Sequence, residues 1–323
     1  MPKKFVIFAI LLVLFFVALY LALFCGYKQG GIEFLRALLS GSEKETLIFE
    51  TLRSPRVIKA IIAGSALSVS GLFMQAITKN PLAEPYITGI SSGAGLMMAL
   101  SLVYLNGQHC SLLGFLGAFA VSAIVIISAN VNKFSITKLI LIGISTNIFA
   151  GSLISLLVLL NGDKAYSVML ILSGGVTNNP SVSTPTLLVL FALGLLAAFV
   201  AIPKLNLLRL DETISKSLGV KVKLLCVLII LLASFLASLS VFCAGIIGFV
   251  GIVIPLLSKL VLGENYKLNF FGTILLGSSL ILVSDYFART ILYPLEIPLG
   301  LVLSFIGAPI FMFFLIKKGK HLC

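Results

Sequence analysis

Charge is what this chain has least of. Of its 323 residues only 11% are Asp, Glu, Lys or Arg, where a soluble domain of this length carries about 25%. That shortage excludes an ordinary soluble fold. The five cysteines form no C-x-x-C pair and no zinc spacing, so neither a zinc module nor a dithiol redox motif is encoded. The two histidines are equally uninformative: His109-Cys110 is too sparse for a metal site and His321 lies in a charged tail. No G-x-x-x-x-G-K-[ST] loop occurs, so the chain has nothing to cradle a nucleotide phosphate. No grouping of His, Asp, Glu, Ser or Cys makes a catalytic set. A membrane enzyme is therefore disfavoured, and neither a cofactor nor a bound metal is expected.

What the chain has instead is apolar length. It is 59% hydrophobic with a mean hydropathy of +1.18. Phe5 to Cys25 holds no charge at all, and about 20 such residues span a bilayer as a helix. Ten spans are expected, near 5–25, 57–77, 86–105, 112–130, 139–160, 184–202, 222–242, 246–262, 270–289 and 298–316. All should be helical, because a helix satisfies its own backbone groups inside lipid. The segments 86–105 and 246–262 are the shortest or most broken by Gly and Pro. Lys3 and Lys4 ahead of the first run suggest a signal peptide, but the run exceeds the usual ~7–15 residue core and lacks a clear cleavage site. It is expected to be retained.

The net charge of +12 does not point to nucleic acid, because the basic residues sit in short loops. With the N-terminus inside, the cytoplasmic face carries 15 basic and 4 acidic residues, and the outer face with its span ends carries 8 and 7. The positive-inside rule then places both termini in the cytoplasm. One polytopic domain, 1–323, accounts for the chain. Its longest loops are Gly26 to Leu52 outside and Lys204 to Val220 inside. The polar stretch from Gly162 to Ser183 is expected outside, with a short helix against the mouth. Ala60, Ala63, Gly64, Ala66, Ser68, Ser70 and Gly71 offer a surface on which helices approach closely in lipid. Cys25 and Cys110 both fall toward the outer face, which leaves a disulfide between them open.

Several polar positions stand out against this background. Arg53, Arg56 and Arg289 fall at outer span ends, against the charge bias; snorkelling is the bland account. Arg53 and Arg56 are three apart at a helix start, so both can point to one side. Pro81 and Pro85 prevent a smooth helix through Asn80 to Pro85. Asp211 can cap a short helix that Gly219 ends. Asp285 is the single acid inside an expected span. An intramembrane carboxylate invites a proton-relay reading, but Arg289 four residues on makes an ion pair the simpler account. Glu296 is close enough in sequence to compete for Arg289.

The order of these features carries more than any one of them. Arg53-Ser54-Pro55-Arg56 is followed by Asn80-Pro81-Leu82-Ala83-Glu84-Pro85 and Gly89-Ile90-Ser91-Ser92-Gly93. Then come Ser217-Leu218-Gly219, Gly245-Ile246-Ile247-Gly248-Phe249-Val250-Gly251, Ile254-Pro255, Asp285, Arg289, Glu296-Ile297-Pro298-Leu299-Gly300 and Gly307-Ala308-Pro309. From about Glu50 to Lys318 the chain resembles the membrane permease subunit of bacterial ABC importers for iron-siderophores, haem and vitamin B12, the FecCD/BtuC family.

That resemblance implies an all-α, ten-helix type II importer permease in the bacterial cytoplasmic membrane, built as a homodimer of inverted-repeat halves. Two separate ATPase subunits would carry ATP and Mg, and an extracytoplasmic binding protein would deliver the cargo. Arg53, Arg56 and Arg289 match arginines that pair with glutamates of the binding protein. Asn80 and Leu82, with Ser135, Ile136 and Thr137, match the cytoplasmic gate, although the family's second stretch is more uniformly polar than one holding Ile136. Asp211, Glu212, Ser215, Ser217, Leu218 and Gly219 match the segment that rests on the ATPase. Spans five and ten would line the pathway. A ferric siderophore or haem is the implied cargo, with cobalamin as the alternative. The rival from another class is an ion-coupled secondary transporter, which needs several polar groups at the midplane where the sequence supplies Asp285 alone.

Overall fold

A chain so poor in polar side chains leaves its backbone groups only one economical partner, each other along a helix. The computed structural model describes residues 2–26, 31–130, 135–176, 183–209 and 221–318, and no strand occurs among them. The helices are α1 (Pro2–Phe24), α2 (Gly31–Leu39), α3 (Glu43–Ile48), α4 (Ser54–Thr78), α5 (Ile90–Tyr104), α6 (Cys110–Asn130) and α7 (Ile136–Leu160). They continue as α8 (Ala165–Leu172), α9 (Thr184–Arg209), α10 (Val222–Ala244), α11 (Val250–Leu262), α12 (Tyr266–Thr290) and α13 (Leu299–Lys318). A wider π turn, Phe49–Arg53, joins α3 to α4, and a 3-10 turn, Pro85–Thr88, precedes α5.

Among the described residues seven helical segments are long and apolar enough to cross a bilayer, and three shorter apolar ones lie at Ile90–Tyr104, Val250–Leu262 and Leu299–Phe313. The first two of these start later than the hydropathy reading expects. Residues 86–89 and 246–249 are turns, because Gly89 (φ 81°), Gly245 (φ 66°) and Phe249 (φ 68°) adopt left-handed backbone that cannot enter a right-handed helix. The described part of the polar stretch after α7 holds a 3-10 turn, Gly162–Lys164, and the short helix α8. The described part of the long loop after α1 folds into α2 and α3.

Helix α4 is the axis of the molecule, packed against α10, α11 and α12. All seven of its small residues from Ala60 to Gly71 that the sequence singles out are buried. The reason is backbone approach. A Cβ at Gly64 would collide with the carbonyl of Gly277 on α12, and one at Gly71 with the carbonyl of Gly251 on α11. Hydroxyls stitch the same contacts, with Ser65 and Ser278 Oγ 2.8 Å apart and Ser70 Oγ donating to the Ala233 carbonyl at 2.5 Å. Such bonds replace the hydrophobic drive that lipid removes. Cys25, Cys110, Cys226 and Cys243 are free thiols, so no bridge joins Cys25 to Cys110.

The periphery is different. In α7 only 17% of the apolar window is buried, against 89% for the α3–α4 segment. Helix α7 therefore presents a long face that no other described residue covers.

Candidate functional site

Three helix ends meet at one end of the bundle: the C-termini of α1 and α12 and the N-terminus of α4. The last carbonyls of α1 have no partner within their own helix. Two of the sequence-selected arginines supply it. Arg53 Nη1 donates to the Leu23 and Phe24 carbonyls, both at 2.8 Å, and its guanidinium lies 3.8 Å over the Phe34 ring. Arg289 Nη2 donates to the Ala22 carbonyl at 3.2 Å. Positive charge at a helix C-terminus also complements the helix dipole.

Arg56 turns the other way. Its Nε donates to Asp285 Oδ1 and Oδ2 at 3.0 and 3.2 Å, while Nη1 and Nη2 grip Glu296 Oε1 and Oε2 at 3.0 and 2.9 Å. Arg289 Nε reaches Asp285 Oδ2 at 3.0 Å, the i,i+4 pair expected from the sequence. Asp285 thus sits between two guanidiniums with a 2% exposed side chain, whereas Glu296 is 58% exposed. Two expectations change here. Arg53 and Arg56 do not serve one target, and Glu296 pairs with Arg56 rather than competing for Arg289. Burial alone would raise the Glu296 carboxyl, but the Arg56 hydrogen bond and charge, with the Arg289 charge, hold it below the usual range. Lys59, one turn along α4, is a buried cation that hydropathy passes over.

At the opposite end α4 stops at Thr78 with Lys79 in left-handed backbone (φ 50°), ahead of Pro81. Asn80 Oδ1 accepts from the Leu82 amide at 2.9 Å, closing an Asx turn that leaves Leu82 44% exposed. Ser135 is extended and its side chain does not cap α7; Ile136 packs into the same apolar cluster as Ala83, and Thr137 is exposed. Ala83, just after the turn, and Ile136 at the start of α7 thus belong to one apolar cluster, while Leu82 stays out of it. Glu84, next along the chain, is extended; its backbone carbonyl accepts from the Ile87 amide at 3.3 Å, and burial pushes its carboxyl up to about 7. Asp211, Glu212, Ser215, Ser217, Leu218 and Gly219 lie outside the described residues, between α9 and α10.

The uncovered face of α7 carries a pattern that sequence reading missed. Ser145, Ser152 and Ser155 are exposed in one stripe, each hydroxyl donating to a carbonyl of its own helix at 2.9–3.0 Å. Ile148 and Phe149 lie beside them, 67% and 66% exposed. Helix α13 adds an exposed Ser304 and Phe305. The spacings of seven and three along α7 are the signal that would have revealed the stripe. A cavity of about 620 Å³ opens at the arginine end, lined by Met98, Cys110, Leu170, Gly174, Gly245 and Glu296 among others. No group of His, Cys, Asp or Glu able to hold a metal occurs among the described residues.

Close-packed apolar helices, a cluster of ion pairs at their ends and an uncovered, hydroxyl-bearing face define a polytopic membrane permease. The family model of the FecCD transport family matches residues 10–317, and the chain belongs to that family. Among its relatives, the Fe(3+)-citrate import system permease protein YfmD of Bacillus subtilis is 34% identical, with 99% of this chain and 97% of the relative covered. The hemin transport system permease protein HmuU of Yersinia pestis is 33% identical over 85% of this chain and 84% of its own. A metal-chelate type ABC transporter solved in an inward-facing conformation superposes with a TM-score of 0.84 at 29% identity, covering 98% of this chain and all of that one. The protein is accordingly a multi-pass permease subunit of an ABC transporter in the bacterial inner membrane, and ATP hydrolysis belongs to a separate subunit.

Proposed function

We propose that two copies of this chain form the membrane pathway of an importer for an iron chelate, a ferric siderophore or haem. The observation that carries this reading is the uncovered, serine-bearing face of α7, with Ser304 and Phe305 likewise exposed on α13. A row of serines among aliphatic and aromatic groups suits neither lipid nor a dry core, but it suits a pathway shared with a second copy. In this reading the seven long and three short apolar helices make ten spans, and both termini are cytoplasmic. The arginine end then faces outward, where Arg53, Arg56 and Arg289 form the dock for acidic residues of a binding protein. The Asn80–Leu82 turn and Ser135–Thr137 close the cytoplasmic end, and Asp211 to Gly219 rests on the ATPase. Relatives that handle ferric citrate and hemin support the cargo class. An ion-coupled relay through Asp285 is disfavoured, because both its oxygens are already bound to guanidiniums near 3 Å.

The test is reconstitution into proteoliposomes with the ATPase and binding protein. Ferric citrate or haem should enter only with ATP, the chain alone should turn over no ATP, and charged bulk at Leu218 and Gly219 should uncouple hydrolysis from uptake. Cobalamin uptake without either iron chelate would overturn the cargo assignment, and ATP-independent uptake driven by an ion gradient would overturn the class of transport.

A further inference from the structure

We propose that Glu296 is a built-in stand-in for the docking carboxylate, so that a binding protein engages this permease by carboxylate exchange on Arg56; the inference rests on the docking reading above. A guanidinium has five N–H donors in a fixed fork. Arg53 spends its Nη1 on two α1 carbonyls, and Arg289 is divided between Asp285 and Ala22. Arg56 commits its Nε/Nη2 side to the buried Asp285, with Nε and Nη2 each 3.0 Å from Oδ1. Its end-on Nη1/Nη2 edge is held bidentately by Glu296 at 3.0 and 2.9 Å. The edge is the geometry a partner's Glu or Asp would use. Because Glu296 is 58% exposed, its hold is the kind that water and salt weaken. Asp285 is buried behind Arg56 and keeps the guanidinium aimed outward when Glu296 leaves.

The exchange has a mechanical consequence. The segment carrying Glu296 is strung between helix ends by three backbone bonds at 3.0 Å: Ile297 N–H to the Ala288 carbonyl, Leu299 N–H to Gly174 and Gly300 N–H to Ser173. The Gly175 N–H in turn donates to the Ala244 carbonyl at 2.9 Å. Gly174, Gly175, Glu296 and Ile297 wall the 620 Å³ cavity, and Leu299 and Gly300 begin α13, so freeing Glu296 loosens the mouth beside a pathway helix. Docking and opening become one event at one guanidinium.

The experiment uses the whole permease–ATPase complex in nanodiscs, with the binding protein that co-purifies with it as analyte. Glu296→Gln, and more so Glu296→Ala, should tighten docking about two- to fivefold, the size expected for removing one exposed competing pair. The amides of Ile297, Leu299 and Gly300 should exchange at least about threefold faster in Glu296→Ala without any partner present, since local opening sets such rates. Arg56→Glu should abolish docking. Unchanged or weaker docking by both Glu296 variants, with docking still lost in Arg56→Glu, overturns the stand-in and leaves the dock intact. Undiminished docking by Arg56→Glu overturns the dock itself, and unchanged amide exchange in Glu296→Ala overturns the link to the mouth.

Discussion

Replacing Asp285 with Asn tests the ion cluster most directly, because it removes the charge at constant shape. The carboxylate is 2% exposed and holds two guanidiniums through contacts of 3.0, 3.2 and 3.0 Å. Removing one partner of a fully buried pair costs about 3–5 kcal/mol, because the other charge is left uncompensated. Here both arginines retain a second acceptor, Glu296 for Arg56 and the Ala22 carbonyl for Arg289, and their side chains are 17% and 18% exposed. The cost should therefore fall to roughly 2–3 kcal/mol. With about 2 °C per kcal/mol in a chain of this size, the unfolding midpoint should drop by about 4–6 °C. Cys110, Cys226 and Cys243 are buried, so a thiol-reactive dye reports unfolding without an added label. One scan rate must be kept, since such transitions are kinetically controlled. Arg289→Gln in the Asp285→Asn background should cost less than the two changes summed, because Arg289 has already lost its partner. A midpoint within about 1 °C of the parent for Asp285→Asn, or full additivity in the double variant, would refute the argument.

The packing and the opposite end make separate predictions. Gly71→Val should leave little monodisperse protein on size-exclusion chromatography, because its side chain meets the Gly251 carbonyl and overpacking costs about 1–3 kcal/mol or more; a normal yield would mean that α4 and α11 do not touch there. Glu84 should make stability depend on pH with an unusual sign. The folded chain holds this proton up to about pH 7, whereas the unfolded chain releases it near 4.5. The native state therefore binds more protons across that window, and stability falls as pH rises through it and levels off above pH 7. Glu84 is partly exposed, so the slope should amount to about 1–2 kcal/mol over the window rather than the full value of the shift. Glu84→Gln should flatten it, and an unchanged profile in that variant would assign the slope elsewhere.

Helix periodicity and hydropathy describe what one helix does with itself, and that much is legible in the residues alone. Uncharged runs such as Phe5 to Cys25 can only be helices in a bilayer. Pro81 and Pro85 forbid α4 from continuing, and Asp285 and Arg289 meet because four residues make one helical turn. The small residues of α4 also announce a close-packed core. None of this requires knowledge of a neighbour.

The partners across helices were beyond its reach. Arg56 meets Asp285 and Glu296, 229 and 240 positions away, and Arg53 caps a helix that ends 29 residues earlier. Whether an arginine at a span end is free or engaged depends on how α1, α4 and α12 are rotated about their axes. That rotation is set by the places where Gly64 meets Gly277 and Gly71 meets Gly251, contacts that a list of small residues does not pair. The late starts of α5 and α11 have the same origin, since the left-handed backbone of Phe249 is held by what packs around it. The amino-acid sequence alone thus determined that the chain is a helical membrane permease and that α4 stops ahead of Pro81. Only the tertiary structure decided that each arginine already has acceptors within the chain and that Glu296 holds the Nη1/Nη2 edge of Arg56, because ion pairs between helices follow from packing geometry, which no single helix contains.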